Sequence, residues 1–106
     1  MLNEAAKLEA RLLTAAELEL VAVTRPPEIE RLSVDELKAA ARRLREAHDR
    51  AKDIGTRQAR EMRGKAEPRG ATPAKDNLGT VAKAQALREA LDRVEAELRR
   101  RDAALT

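Results

Sequence analysis

The chain has 106 residues, the length of one domain (1–106), and a formal net charge of +3. It contains no Phe, Trp, Tyr or Cys, and 22 of its hydrophobic residues are Ala, which leaves 23 large apolar side chains. This composition excludes a disulfide framework and a thiolate metal site, and it disfavours a deep globular core. Charged residues make up 39% of the chain, as is typical of long solvated helices or coiled coils.

The first predicted element is a helix over residues 3–23. Leu18 and Val21 lie outside its apolar sector. The segment Thr14-Ala15-Ala16-Glu17 has the form of a capping box, which would start a new helix at that point. The apolar sector runs through this point, however, and favours one continuous helix. The sector comprises Leu2, Ala5, Leu8, Leu12, Leu13, Ala16, Leu20 and Val23.

This N-terminal third is both the most apolar and the only acidic part of the chain. Residues 1–32 hold 11 of the 23 large apolar residues, and they carry four Lys or Arg against six Asp or Glu. The surplus of apolar surface has two interpretations, packing on the rest of the chain or self-association. The candidate self-association residues are Leu8, Leu12, Leu13, Leu20 and Val23.

A linker over residues 24–32 follows, because Pro26 and Pro27 cannot continue a helix. A long helix is predicted over 33–63. The Ser33 hydroxyl can accept a hydrogen bond from the Glu36 amide, and the Glu36 carboxylate can accept one from the Ser33 amide, which is a capping box.

Apolar residues of the long helix recur at alternating steps of three and four residues, which places them on one narrow stripe. Gly55 within this helix indicates either a hinge, a close helix crossing or a tolerated exposed glycine. The stripe comprises Leu37, Ala40, Leu44, Ala47, Ala51 and Ile54.

Two Gly and two Pro fall within residues 64–76, which predicts a loop, with Gly64 at the end of the long helix. The last helix is predicted over 78–103. Its stripe matches that of the long helix, so the two helices should form an antiparallel, coiled-coil-like hairpin with Arg43 roughly opposite Glu97. The sequence thus predicts an all-α protein, a long helical hairpin with an additional N-terminal helix. The second stripe comprises Ala84, Leu87, Leu91, Val94 and Leu98.

Signals for catalysis are nearly absent. Ser33, the only Ser, is used as a helix cap, and His48 is the only His, so a Ser–His or Cys–His pair cannot be assembled. Asp49 and Asp53 lie near His48, but they project to different sides of it and Lys52 crowds the site. A solvated helix face is therefore favoured over a metal site. We expect no enzymatic activity, no cofactor, no metal and no small-molecule substrate.

Positive charge collects at the tip of the predicted hairpin. Residues 57–75 carry a net charge of +4, so the other residues sum to −1. Basic side chains on a Gly/Pro loop suit contact with phosphates, although aromatic residues for base stacking are missing. The alternative is a solvated basic turn. Elsewhere, pairs such as Glu46–Arg50 and Glu89–Arg93 have the spacing of helix-stabilising ion pairs. The candidate contact residues at the tip are Arg57, Arg60, Arg63, Lys65, Arg69 and Lys75.

Residues 24–101 resemble a group of short, uncharacterised bacterial helical proteins without established function, so the resemblance implies no activity. In topology alone, the predicted hairpin is also similar to a small protein of the large ribosomal subunit that opens with a capped Leu-rich helix. Here the loop is longer and the second helix lacks that family's basic RNA-binding face. The motifs that carry the first resemblance are Leu32-Ser33-Val34-Asp35-Glu36-Leu37, Glu61-Met62-Arg63-Gly64-Lys65, Pro68-Arg69-Gly70-Ala71 and Asp76-Asn77.

The sequence therefore favours a non-catalytic helical interaction or structural protein that forms a homo-oligomer or binds a helical partner. The alternative is a small nucleic-acid- or ribosome-binding protein that acts through the basic tip, residues 57–75. No stretch approaches the roughly 20 apolar residues needed to span a bilayer. We expect no signal peptide, no contact with membranes and a cytoplasmic location.

Overall fold

The computed structural model describes residues 4–65 and 74–105, without the side chains of residues 5, 6, 62–65 and 74–78. All secondary structure in these two ranges is helical, and the predicted all-α hairpin with N-terminal helices is confirmed. The five helices are α1 (Glu4–Leu12), α2 (Ala15–Ala22), α3 (Glu28–Arg31), α4 (Val34–Lys65) and α5 (Ala74–Leu105).

Helices α4 and α5 pack against each other as an antiparallel hairpin. The Arg45 guanidinium lies 3.2 Å from the Glu95 carboxylate across the two helices. This is the predicted register, because it moves two residues along each helix from the expected Arg43–Glu97 position. The core of the hairpin is formed largely by the two predicted stripes, of which Leu37, Ala40, Leu44, Ala47, Ala51, Leu87, Leu91 and Val94 are buried.

The capping box at the start of α4 is present as predicted. The Glu36 amide donates to the Ser33 hydroxyl at 3.0 Å, and the Ser33 amide donates to the Glu36 carboxylate at 2.7 Å. These hydrogen bonds favour the charged carboxylate and lower the pKa of Glu36. The cap therefore fixes the residue at which the long helix begins.

The prediction of one continuous helix over residues 3–23 is wrong, because the chain breaks between α1 and α2. Thr14 caps α2: its hydroxyl accepts from the Glu17 amide at 3.2 Å, and its amide donates to Glu17 at 3.0 Å. The break lets α1 pack on α5 while α2 packs on α4. It also rotates the second half of the apolar sector, so Val21, expected outside that sector, is fully buried.

The predicted linker contains the single-turn helix α3, and the Pro26–Pro27 peptide bond is cis. Ile29 of this turn is buried in the core. The Arg101 guanidinium of α5 donates to the carbonyl oxygens of Leu32, Ile29 and Glu30. Since these carbonyls lie where α3 ends, Arg101 both caps the turn and ties it to the hairpin.

The boundaries around the predicted loop 64–76 also differ. Helix α4 continues to Lys65, so Gly64 lies inside the helix, and α5 begins at Ala74, within the expected loop. Residues 66–73 lie outside the described residues. Over the two described ranges, none of the helices has the length and hydropathy needed to cross a bilayer.

Candidate functional site

The core of the hairpin ends well before its tip. On α4, the last buried side chain among those described is Ala51, and on α5 the first is Ala86. Beyond them lies the distal segment, which we define as residues 52–61 of α4 and 79–85 of α5. Ile54, the last residue of the predicted stripe, is 43% exposed there, and Val81 is 53% exposed. The distal segment is therefore a part of the hairpin where large apolar side chains remain accessible beside the seam, as Val34 and Leu105 do at the opposite end.

An open groove of about 460 Å³, called here the distal groove, lies between α4 and α5 along this segment. Its floor is made of small or apolar residues, and Lys52 and Arg88 stand at its edges. None of the described residues that line it is an Asp or Glu. The lining residues are His48, Ala51, Lys52, Gly55, Thr56, Ala59, Thr80, Val81, Ala84, Gln85 and Arg88.

Gly55 lies at the middle of the distal groove and is half-buried. A Cβ atom placed on it would lie 3.5 Å from Thr80 Cγ2, an ordinary van der Waals contact. Since α4 is continuous through this residue and a side chain would fit, the structure favours a tolerated glycine over a hinge or a close crossing. In the same segment, the Gln58 amide oxygen is buried and has no hydrogen-bond partner among the described residues.

Two other grooves lie where the N-terminal helices meet the hairpin, and their charges differ from those of the distal groove. The groove between α2 and α4, about 470 Å³, has charges of both signs, with Glu17, Glu19 and Glu46 beside Arg43 and Arg50. The groove between α1 and α5 is smaller, about 170 Å³. Of the three, only the distal groove has basic residues and no acidic one among its described lining residues.

A part-buried polar cluster anchors α1 to the hairpin. The two terminal nitrogens of the Arg25 guanidinium, Nη1 and Nη2, each donate to a Glu9 carboxylate oxygen at 2.7 Å. Arg93 Nε donates to the Thr24 hydroxyl at 3.1 Å. The hydrogen bonds from Arg25 lower the pKa of Glu9 despite its burial. Burial and the neighbouring Arg25 lower the pKa of Arg93, whose Nη2 is buried without a partner. This cluster joins α1, the turn after α2 and α5, and its role is structural.

This cluster was not predicted from the sequence. The spacing predicted an ion pair between Arg93 and Glu89. In the structure Arg93 instead donates a hydrogen bond to Thr24, and Glu89 accepts one from Gln85. The expected Glu46–Arg50 pair is also not formed among the described ion pairs. Only the packing of α1 across α5 brings residues 9, 25 and 93 together, and no local spacing signals it.

The candidate self-association residues are mostly used within the chain. Leu13 is buried in the core, and Leu20 packs against it while half-buried. Leu12 and Val23 are also half-buried, which leaves Leu8, 44% exposed, as the one large apolar residue of this set that is open to solvent. The structure thus favours the first interpretation of the N-terminal apolar surplus, packing on the hairpin.

The candidate phosphate-contact residues divide into two groups. Arg57 and Arg60 are exposed side chains of α4 in the distal segment, and neither forms an ion pair with another described residue. Arg63 and Lys65 extend the same helix and Lys75 lies in the first turn of α5, but their side chains are not described. Arg69 lies outside the described residues.

The residues that were considered for catalysis or metal binding lie on α4 or at its start. His48 Nδ1 lies 3.4 Å from the Asp49 carboxylate, and His48 is half-buried at the end of the distal groove while Asp49 is exposed. Within residues 4–65 and 74–105, no three His, Cys, Asp or Glu side chains converge as metal ligands would. The Ser33 hydroxyl is engaged at the start of α4, away from any groove described above.

The distal groove was not predicted as a site. From the sequence, Lys52 was considered only as a neighbour of His48, and Val81 and Arg88 were not considered. One signal was available: at the tip end of the hairpin, after Leu44 on α4 and before Leu87 on α5, neither stripe contains a Leu.

Comparisons of the chain with protein-family models, with curated proteins and with solved structures found no match. These comparisons suggest no function, so the only basis for one is the arrangement of the described residues.

Proposed function

We propose that this is a non-catalytic helical interaction protein that binds another macromolecule through the distal segment of its hairpin. The observation that carries the proposal is the distal groove, where apolar side chains and the basic side chains of Lys52 and Arg88 remain accessible beside a well-packed core. Exposed apolar surface bordered by charged residues is typical of surfaces that bind a partner. The use of Ser33 as a cap and the lack of converging ligand side chains in the described ranges support a non-catalytic role.

A photo-crosslinking experiment tests this proposal. A photoreactive benzoylphenylalanine replaces Val81, which is exposed in the distal groove, and in a second variant it replaces Asp102, which is exposed at the opposite end of α5. Both variants are irradiated in an extract of cells that express the protein. We expect an adduct from the Val81 position that the Asp102 position does not give. Equal labelling at both positions, or none at either, contradicts the proposal.

We also propose that the chain self-associates, through a surface that contains the exposed Leu8 rather than the whole candidate set. Removing residues 1–24 would also remove Leu13 and Val21 from the core, so this truncation would change the stability of the chain as well as its self-association surface. Leu8→Glu is the better variant, because Leu8 is exposed on α1. Gel filtration with light scattering should show a dimer or larger species that Leu8→Glu weakens. A monomer at micromolar concentration with a concentration-independent melting temperature excludes self-association.

Nucleic-acid binding through the tip is the second candidate function. It is favoured by Arg57 and Arg60, which are exposed and free of ion pairs with other described residues. Titration of labelled duplex DNA, single-stranded DNA and structured RNA should show affinity that falls with salt by a slope of about 0.9 per phosphate contact for duplex DNA. Arg57→Glu with Arg60→Glu should abolish this binding. Affinity weaker than about 100 μM for all three nucleic acids excludes this function.

A cytoplasmic location is proposed together with this function. It is supported by the absence of Cys from the chain, which suits a reducing compartment but does not require one. Fluorescence microscopy of a tagged full-length protein tests it, and label confined to the cell envelope contradicts it.

A further inference from the structure

We propose that the distal groove binds one face of an acidic amphipathic helix from another protein. The inference rests on the proposed function, since it names the chemistry of the partner that this surface accepts. It is carried by three features of the groove, namely its length, its floor and the single sign of its edges.

The length and shape of the groove suit a helix. Its lining extends from His48 to Ala59 along α4, which is about 17 Å or three helical turns at 1.5 Å per residue. Two antiparallel helices present a continuous furrow between their side-chain ridges, and a third helix packs into such a furrow ridge to groove. A helix laid there contributes the residues i, i+3, i+4 and i+7 of one face.

The floor of the groove suits apolar side chains supplied by the partner. Ala51, Gly55, Ala59 and Ala84 contribute little bulk of their own, and Val81 is 53% exposed at the border. Large side chains such as Leu, entering from the partner, would bury this surface and continue the core past the point where it ends. Each such side chain, once buried, contributes about 1.5–3 kcal/mol.

The edges of the groove determine the sign of the charges that the partner carries beside its apolar stripe. Lys52 stands on the α4 edge and forms no ion pair with any described residue. Arg88 on the α5 edge pairs with the exposed Asp92, at 3.1 Å. Because no carboxylate is among the described lining residues, Asp or Glu residues flanking the stripe of the partner would meet cations on both edges.

The same charges argue against a second copy of this chain in the groove. In a two-fold symmetric dimer the same surface meets itself, so the cationic edges formed by Lys52 and Arg88 would meet the cationic edges of the other protomer. Like charges in an apolar contact cost several kcal/mol. The chain's own acidic N-terminal helices are also committed, since Glu9 pairs with Arg25 and Glu17 with Lys83.

Selection from a library identifies the preferred ligand without assuming its sequence. The probe is a phage-displayed library of helical peptides with randomised surface positions, selected against the full chain. We expect the enriched peptides to combine an apolar stripe of spacing i, i+3, i+4, i+7 with flanking Asp and Glu. Enrichment of basic or neutral peptides, or of no peptide at all, overturns the inference.

Matched charge reversals test where these peptides bind. Lys52→Glu combined with Arg88→Glu reverses both edges of the groove, and fluorescence anisotropy should show affinity for the enriched peptides reduced at least tenfold. The control, Arg42→Glu with Arg99→Glu, makes the same change in charge at exposed positions of the same two helices outside the groove. It should change the affinity less than twofold. Circular dichroism must show the same helix content in all variants.

The results separate failure of this inference from failure of the proposed function. If the two pairs of reversals weaken binding equally, the peptides respond to net charge and the inference fails. If crosslinking at Val81 captures a second copy, a nucleic acid or a basic protein, the inference fails while the interaction function stands. If crosslinking gives no adduct specific to Val81 and no selected peptide depends on the groove, both fail.

Discussion

Replacement of Leu44 and Ile54 by Ala, one at a time, tests where the hairpin core ends. The two residues belong to the same predicted stripe, but Leu44 is 0% exposed and Ile54 is 43% exposed. Replacing a buried Leu by Ala lowers the free energy of unfolding by about 2–5 kcal/mol. This loss is the sum of the transfer free energy of the removed atoms and the cost of the cavity they leave. Leu44 is packed between α4 and α5 near the middle of the seam, so we expect a value of about 3 kcal/mol.

Ile54→Ala should cost much less. The side chain is only partly removed from water, no closed cavity forms, and Ala has a better helix propensity than Ile by less than about 0.7 kcal/mol. We expect a net loss below about 1 kcal/mol. For a chain of this size the total free energy of unfolding is roughly 5–15 kcal/mol, so Leu44→Ala removes a large share of it and Ile54→Ala does not.

Urea denaturation followed by far-UV circular dichroism measures both values. The variants must start from the same helix content as the parent and unfold with a similar dependence on denaturant, so that differences in midpoint report stability. Measurements at two protein concentrations separate any contribution from self-association. Equal losses for the two variants, or a larger loss for Ile54→Ala, would refute the conclusion that the core stops at Ala51.

Three further predictions follow from single residues. Hydrogen bonds from Arg100 and Arg101 lower the pKa of Glu97 from 4.5 to about 2. The Glu97 carboxylate therefore stabilises the folded chain above pH 4.5, and this stabilisation is lost as the pH falls toward 2. Acid unfolding curves of Glu97→Gln should lack this loss of stability. An unchanged pH dependence in the variant contradicts the assignment. Ser33→Ala should lower the free energy of unfolding by about 1 kcal/mol through loss of the α4 cap, and no change in the urea midpoint would argue against the cap. Gly55→Ala should raise it by about 0.5–1 kcal/mol, since the added Cβ makes only an ordinary contact 3.5 Å from Thr80; destabilisation would indicate that α4 must bend there.

Local signals predicted those parts of the fold that depend on residues close in sequence. The Ser33 cap and the two heptad-like stripes each act within a few residues, and together they imply the hairpin and its register. A capping box of the same kind is present in the sequence at Thr14, but the continuous apolar sector led to the prediction of one helix over residues 3–23. That choice was wrong because a capped break lets the two halves of the segment pack on different helices.

Only the tertiary structure determined which apolar residues are covered and where the cationic edges of a groove lie. Spacing along a helix indicates which side chains share a face, but it cannot show where a neighbouring helix stops covering that face. Leu44 and Ile54 are equivalent in the pattern and differ in exposure, because the packed seam thins toward the tip. Likewise, Lys52 and Arg88 become the two edges of one groove only when α4 and α5 are antiparallel, since contacts between residues distant in sequence depend on how the helices pack.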